Sequence, residues 1–183
     1  MKTVLDKKAI QVATAAANPN FLTKSNPILE CVLIGNGKIL ASDGYFLAAR
    51  KIVTEPETGD PVLLKAHEIL KLQKQWKSKL LTISSNGNSA SITDENGNIT
   101  ELELVQGAYP DYKKSLSKGK EKVYISLNLQ FLKKAIKIIG KSDGDYVRIK
   151  IWGSQNPIEL FTRDTRELLM PVFVEKRESD VQF

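Results

Sequence analysis

The chain has 183 residues, enough for one substantial domain or a domain and a half. Hydrophobic residues make up 42% and charged residues 26%, the balance of an ordinary soluble globule. No apolar run approaches the roughly 20 residues that a membrane helix needs, and MKTVLDKKAI holds no stretch of signal-peptide length. The net charge of +6 permits nucleic-acid binding without demonstrating it. The single cysteine, Cys31, cannot form an internal disulfide, which fits a reducing, cytoplasmic compartment.

Taken in chain order, a short strand-like lead-in at 2–5 precedes a helix-period segment at 6–17. Strand candidates follow at 28–34, 38–42 and 45–53, with Gly35-Asn36-Gly37 and Asp43-Gly44 as the turns between them. A second lead-in at 61–64 precedes a helix at 65–79, then strands at 80–84, 89–93 and 99–106. Their turns are Asn86-Gly87-Asn88 and Glu95-Asn96-Gly97. A third lead-in at 122–125 precedes a helix at 128–141 and strands at 146–152, 157–162 and 166–174. Here the turns are Gly153-Ser154 and Arg163-Asp164-Thr165.

The lead-ins begin at 2, 61 and 122, so the pattern repeats at steps of 59 and 61 residues. The chain thus reads as an α+β protein of three strand-helix-strand-strand-strand units, with the helices on one face of the sheets. Each unit alone has a small core, so the units should pack against one another. The expected division is 1–117 as a complete two-unit domain, 118–175 as a half domain and 176–183 as a charged tail.

Charge follows the helices. The segments carry +1, +4 and +4, so +9 against +6 for the chain, and everything else is net −3. Ile69, Leu72 and Trp76 form the apolar stripe of the second helix; Leu132, Ala135, Ile136 and Ile139 form that of the third. Lys7, Lys8, Lys71, Lys74, Lys77, Lys133, Lys134 and Lys137 fall elsewhere on the wheels. They either solvate amphipathic helices or make a basic face for phosphates. Binding by such a face is sequence-independent and salt-sensitive, because lysine offers a point charge without base readout.

At this point the sequence resembles the bacterial DNA sliding clamp, the beta subunit of DNA polymerase III. Ala41-Ser42-Asp43-Gly44-Tyr45-Phe46-Leu47-Ala48 is similar to the family's A-T-D-G-H-R-L-A stretch. Gly107-Ala108-Tyr109-Pro110-Asp111-Tyr112 is similar to its F-P-D-Y stretch, and Leu169-Met170-Pro171-Val172 to its M-P stretch. The three occur in the family's order, over about residues 2–174. The resemblance implies a DNA-clamp-like fold whose basic helices face double-stranded DNA without sequence preference. It also implies an apolar groove for peptides of DNA polymerase, the clamp loader and repair proteins. Carried over, that groove is lined by Gly44, Tyr45, Leu47, Pro110, Leu116, Met170, Pro171 and Val172. Tyr45 and Phe46 stand where the family usually has His and Arg, which makes the groove more apolar.

A family subunit has six units and this chain three. By resemblance, 1–116 matches the middle domain and 120–174 the second half of the last. Four copies give the twelve units of a complete ring, so a homo-oligomeric ring is one expectation. A non-encircling peptide-binding module that competes for clamp partners is the alternative.

No catalytic constellation, cofactor motif or metal cluster is expected. His67 lacks the second histidine of a zinc-protease helix, and Gly35-Asn36-Gly37-Lys38 lacks phosphate-loop spacing. Asp43, Asp94, Asp111 and Asp164 sit at turns. Trp76 and Trp152 read as core. The expected role is a non-enzymatic, nucleoid-associated processivity factor in the cytoplasm.

Overall fold

The structure, a computed structural model, describes residues 1–17, 20–55, 60–115, 123–140 and 146–172. Leu116, with residues 56–59 and 117–122, and the charged tail lie outside the described residues. The chain forms two compact units, the first over Met1–Lys113 and the second starting at Lys114.

The first unit holds two copies of the repeat. In the first copy, β1 (Lys2–Asp6) leads into α1 (Lys7–Ile10), which continues as a 3₁₀ stretch over Gln11–Ala16. The expected single helix over 6–17 is thus half 3₁₀. Asp6 caps it, its carboxylate accepting the Ala9 amide at 2.6 Å. A short helix that the periodicity did not reveal, α2 (Phe21–Ser25), starts at a reciprocal capping box between Asn20 and Thr23. A further 3₁₀ turn, Pro27–Glu30, occupies the expected start of the next strand. Then come β2 (Cys31–Gly35), β3 (Lys38–Ser42), β4 (Leu47–Lys51) and β5 (Thr54–Glu55). The second copy is β6 (Val62–Lys65), α3 (Ala66–Trp76), β7 (Leu80–Asn86), β8 (Ser89–Asp94) and β9 (Ile99–Glu103).

The two copies exchange their lead-ins. One sheet has the order β5-β1-β7-β8-β9 and the other β4-β3-β2-β6. The first copy's β1 therefore pairs antiparallel with β7 of the second, and β6 pairs antiparallel with β2 of the first. Leu5, Ile10, Val32, Ile34, Ile39, Leu64, Ile69, Leu81, Ile83 and Ile92 form one shared core from both copies. The helix α3 lies against the Gln11–Ala16 stretch of the other copy. Its Ile69 and Leu72 are buried and Trp76 packs half-buried, as the stripe predicts.

Cys31 is buried, and burial pushes its thiol up to about 11. Asp94 anchors its turn, accepting the Asn96 amide at 2.9 Å and the Asn98 amide at 2.8 Å. Burial alone would raise its pKa, but these bonds and those from both asparagine side chains hold it below the usual range.

The second unit holds one copy: α4 (Leu129–Ile139), β10 (Arg148–Lys150), β11 (Ile158–Phe161) and β12 (Arg166–Leu169). Asn128 caps α4 by accepting the Gln130 and Phe131 amides. The sheet order is β10-β11-β12. Two expectations fail here. Residues 123–128 carry no assigned strand, and Ile136 and Trp152 are exposed rather than core. Both follow from one cause: the first unit packs two copies together, and the second unit contains one. Among the described residues, Ala135, Ile158, Leu160 and Leu169 form its buried cluster, with Ile125, Leu127, Leu132 and Ile139 packed at the margin.

Glu159 ties the three strands across the other face of this sheet. Its buried carboxylate meets Arg166 at 2.7 Å and Lys150 at 3.6 Å. Replacing Glu159 with Gln should cost the second unit about 1–2 kcal/mol, because one acceptor is lost while both cations keep access to water. Hydrogen exchange should quicken roughly tenfold in β10–β12 and stay unchanged in β7–β9.

Candidate functional site

The Asp43–Phe46 turn is built rigidly. Asp43 Oδ1 accepts the Tyr45 amide at 2.9 Å and the Phe46 amide at 2.8 Å. The Asp43 amide donates back to the Phe46 carbonyl at 3.2 Å, and the Gly44 amide donates to Ser42 Oγ at 3.1 Å. From behind, the Asn20 side-chain amide donates to the Asp43 carbonyl at 2.9 Å. Gly44 has φ +92, and a Cβ placed there would stand 2.6 Å from Leu22 Cδ1. The unforeseen α2 is therefore the buttress of this turn.

The supported turn presents two aromatics to solvent. Tyr45 is 76% exposed and Phe46 61%, with Leu47 exposed at the start of β4. A hairpin turn needs no such residues for its own stability. The Tyr109 phenol lies near the Ser42 backbone, and burial pushes it up to about 12. The adjacent Pro110 is exposed, and Tyr112 is held by Lys38, whose Nζ donates to the phenolic oxygen at 2.6 Å. Gly107 lies against Ile28, where a Cβ would meet Cδ1 at 2.8 Å. The ASDGYFLA and GAYPDY stretches, far apart in sequence, thus meet around Ser42 in the first unit.

The remaining candidate groove residues belong to the second unit. Met170 and Val172 are exposed and Pro171 is half-buried. The Val172 amide donates to the Ser126 carbonyl at 2.9 Å, which fixes this strand end against the chain leading into α4.

All eight candidate lysines are exposed. Lys7 and Lys8 stand on α1, Lys71 and Lys74 on α3, and Lys133, Lys134 and Lys137 on α4. Lys77 ends α3 in the left-handed conformation, φ 53. In the first unit α1 and α3 touch, which brings two of the basic elements together. Among the described residues, no group of three His, Cys, Asp or Glu side chains is placed to hold a metal ion. No helix among them is long and apolar enough to cross a membrane.

These elements define a DNA-sliding-clamp fold. The chain is similar to the sliding clamp of Bacillus subtilis, with TM-score 0.67 and 16% identity, over 93% of this chain and 49% of that one. It is similar to the beta sliding clamp of C. crescentus, with TM-score 0.68 and 13% identity, over 93% of this chain and 50% of that one. The beta subunit of DNA polymerase from Streptococcus pyogenes gives TM-score 0.65 and 19% identity, again over 93% and 50%. The chain spans about half the length of these clamps. No family model and no curated protein matches it by sequence.

Replacing Gly44 with Ala should strain the turn twice, by its positive φ and by the contact with Leu22. The expected cost is about 1–2 kcal/mol of stability. A thermal melt of the variant should show it, and Gly87→Ala, at a turn with φ +61 but open space around it, should cost less.

Proposed function

We propose that the protein is a non-enzymatic, DNA-bound tether of the sliding-clamp kind. It holds double-stranded DNA without sequence preference through its basic helices and recruits replication proteins by short apolar peptides. It acts in the cytoplasm at the nucleoid. The observation that carries this reading is charge placement: on a clamp fold, all eight candidate lysines are exposed on or next to the three helices, while the remainder of the chain is net acidic. Lysine–phosphate contacts of this kind are weak singly and additive, so they let a protein stay on DNA while moving along it. A homo-oligomeric ring of four chains would supply twelve repeat units.

Replacing Lys74, Lys134 and Lys137 together with Glu should lower affinity for a DNA duplex at least about tenfold near 0.1 M salt and flatten its salt dependence. Unchanged affinity would refute the basic-face reading. Retention on circular DNA that disappears on linearisation is the result expected of encirclement.

A second reading is favoured by the exposed pair on the pinned turn. Tyr45 and Phe46 have the size and exposure of interface anchors. The candidate residues for a peptide groove are Gly44, Tyr45, Leu47 and Pro110 in the first unit and Met170, Pro171 and Val172 in the second. A module using only that groove would compete for clamp partners without encircling DNA. Tyr45→Ala and Met170→Ala should each weaken capture of a polymerase-derived clamp-binding peptide by about tenfold or more. If both variants bind the peptide as the parent does, the groove is misplaced.

A further inference from the structure

The second unit is a clamp half domain with both sides of a missing contact on its surface. The first unit supplies the template for that contact. There, each lead-in strand pairs with the first post-helix strand of the other copy: β1 with β7, and β6 with β2. The lead-in of the second copy is also held from its other side, where the Val105 amide donates to the Leu63 carbonyl at 2.9 Å.

The third copy repeats the second of these arrangements. Its Val172 amide donates to the Ser126 carbonyl at 2.9 Å. Leu63 and Ser126 each stand three residues before their helix begins. The lead-in through Ile125 and Leu127 is therefore already placed as β6 is, but among the described residues it has no counterpart of β2 beside it. Conversely β10, the counterpart of β2 and β7, is an edge strand among the described residues.

The ladders fix which residues correspond. Ile83 pairs with Ile92 in the second copy, and Ile149 with Leu160 in the third. Buried positions alternate alike, at Ala90, Ile92 and Asp94 and at Ile158, Leu160 and Thr162. The turns that follow close alike, Asp94 N–H to the Asn98 carbonyl and Thr162 N–H to the Thr165 carbonyl. Val147 and Ile149 thus occupy the positions of Leu81 and Ile83. Leu81 and Ile83 are 0% exposed, whereas Val147 is 44% exposed and Ile149 57%. On α4, Leu129 and Ile136 are also exposed on one flank of the stripe of Leu132, Ala135 and Ile139, and Phe131 and Ile138 on the other.

We infer that a second copy of this chain covers that face, and that the two half domains exchange lead-ins to make one composite domain. Both elements of the contact are present in each copy, so a two-fold arrangement satisfies both edges at once. The register follows from Leu5 opposite Leu81 and Thr3 opposite Ile83. The partner's Leu127 lies opposite Val147, and the partner's Ile125 opposite Ile149. The partner's Ser126 then faces Arg148, and the partner's Tyr124 faces Lys150. Aliphatic residues meet aliphatic residues, no like charges are opposed, and Lys150 already carries a counter-charge in Glu159. The inference concerns the second unit alone and stands apart from the DNA and peptide readings.

The test uses the full chain. Light scattering should give an even multiple of the 20.4 kDa chain mass. Ile149→Lys, at a position exposed in the single chain, should weaken that association at least tenfold with an unchanged circular-dichroism spectrum. In a Cys31→Ala background, mixing chains carrying Ile125→Cys with chains carrying Ile149→Cys should give a disulfide between chains, since directly opposed strand residues lie within disulfide reach. A single-chain mass at 100 µM protein overturns the inference. So does an oligomer whose affinity Ile149→Lys does not change, or a cysteine mixture that forms no cross-link.

Discussion

A strand with an open edge leaves a row of amides and carbonyls without partners, and the architecture of this chain is a response to that constraint. In the first unit neither copy closes its own sheet: each lends its lead-in strand to the other, and the loan carries the helix that follows across the junction. In the first unit the loan is mutual, so Leu5 and Leu64 enter the sheets of their sister copies and one core forms from two weak ones. Burying roughly ten branched aliphatic side chains in that shared core stabilises what neither copy could hold alone.

The candidate functional features depend on the same arrangement. Helices that cross the junction have one side against the shared core, so their remaining side is free for lysine. The Asp43–Phe46 turn rests on α2 with its backbone, so its side chains carry no packing duty. It can therefore turn Tyr45 and Phe46 outward. The turn is pinned by local hydrogen bonds of Asp43 and supported from behind by Asn20 and Leu22, whereas the sheet it projects from is held by exchange.

Much of this was legible in the sequence because turn residues mark strand ends more firmly than periodicity marks helices. Asn36, Asp43 and Asn96 fall at observed turns, Asn86 closes β7 just before one, and Ser154 and Asp164 mark the turns of the third copy, in step with the lead-in spacing that shows the repeat. The first helix was not legible in detail. Its apolar run through Val12, Ala13, Ala15 and Ala16 fits a tighter 3₁₀ coil as well as an α-helix, and contact with α3 decides between them. The short α2 was hidden because its signal is a capping box at Asn20 and Thr23 rather than a periodic stripe. Ile136 and Trp152 were misassigned to the core for a different reason. Apolarity reports that a residue is to be covered, but not whether its own chain does the covering. Of the peptide groove, the Asp-Gly turn could be read from sequence, but its support by Leu22 and Asn20 could not, since those contacts are purely tertiary.

The account rests on lead-in exchange as the rule for every copy, including the third. Hydrogen–deuterium exchange followed across a protein dilution series tests this most directly. If the rule holds, the amides of Arg148–Lys150 and those of residues 123–127 gain protection together as concentration rises, while β1 and β7 remain protected throughout. If both segments exchange at the same fast rate at every concentration, the third copy stands open and the rule fails.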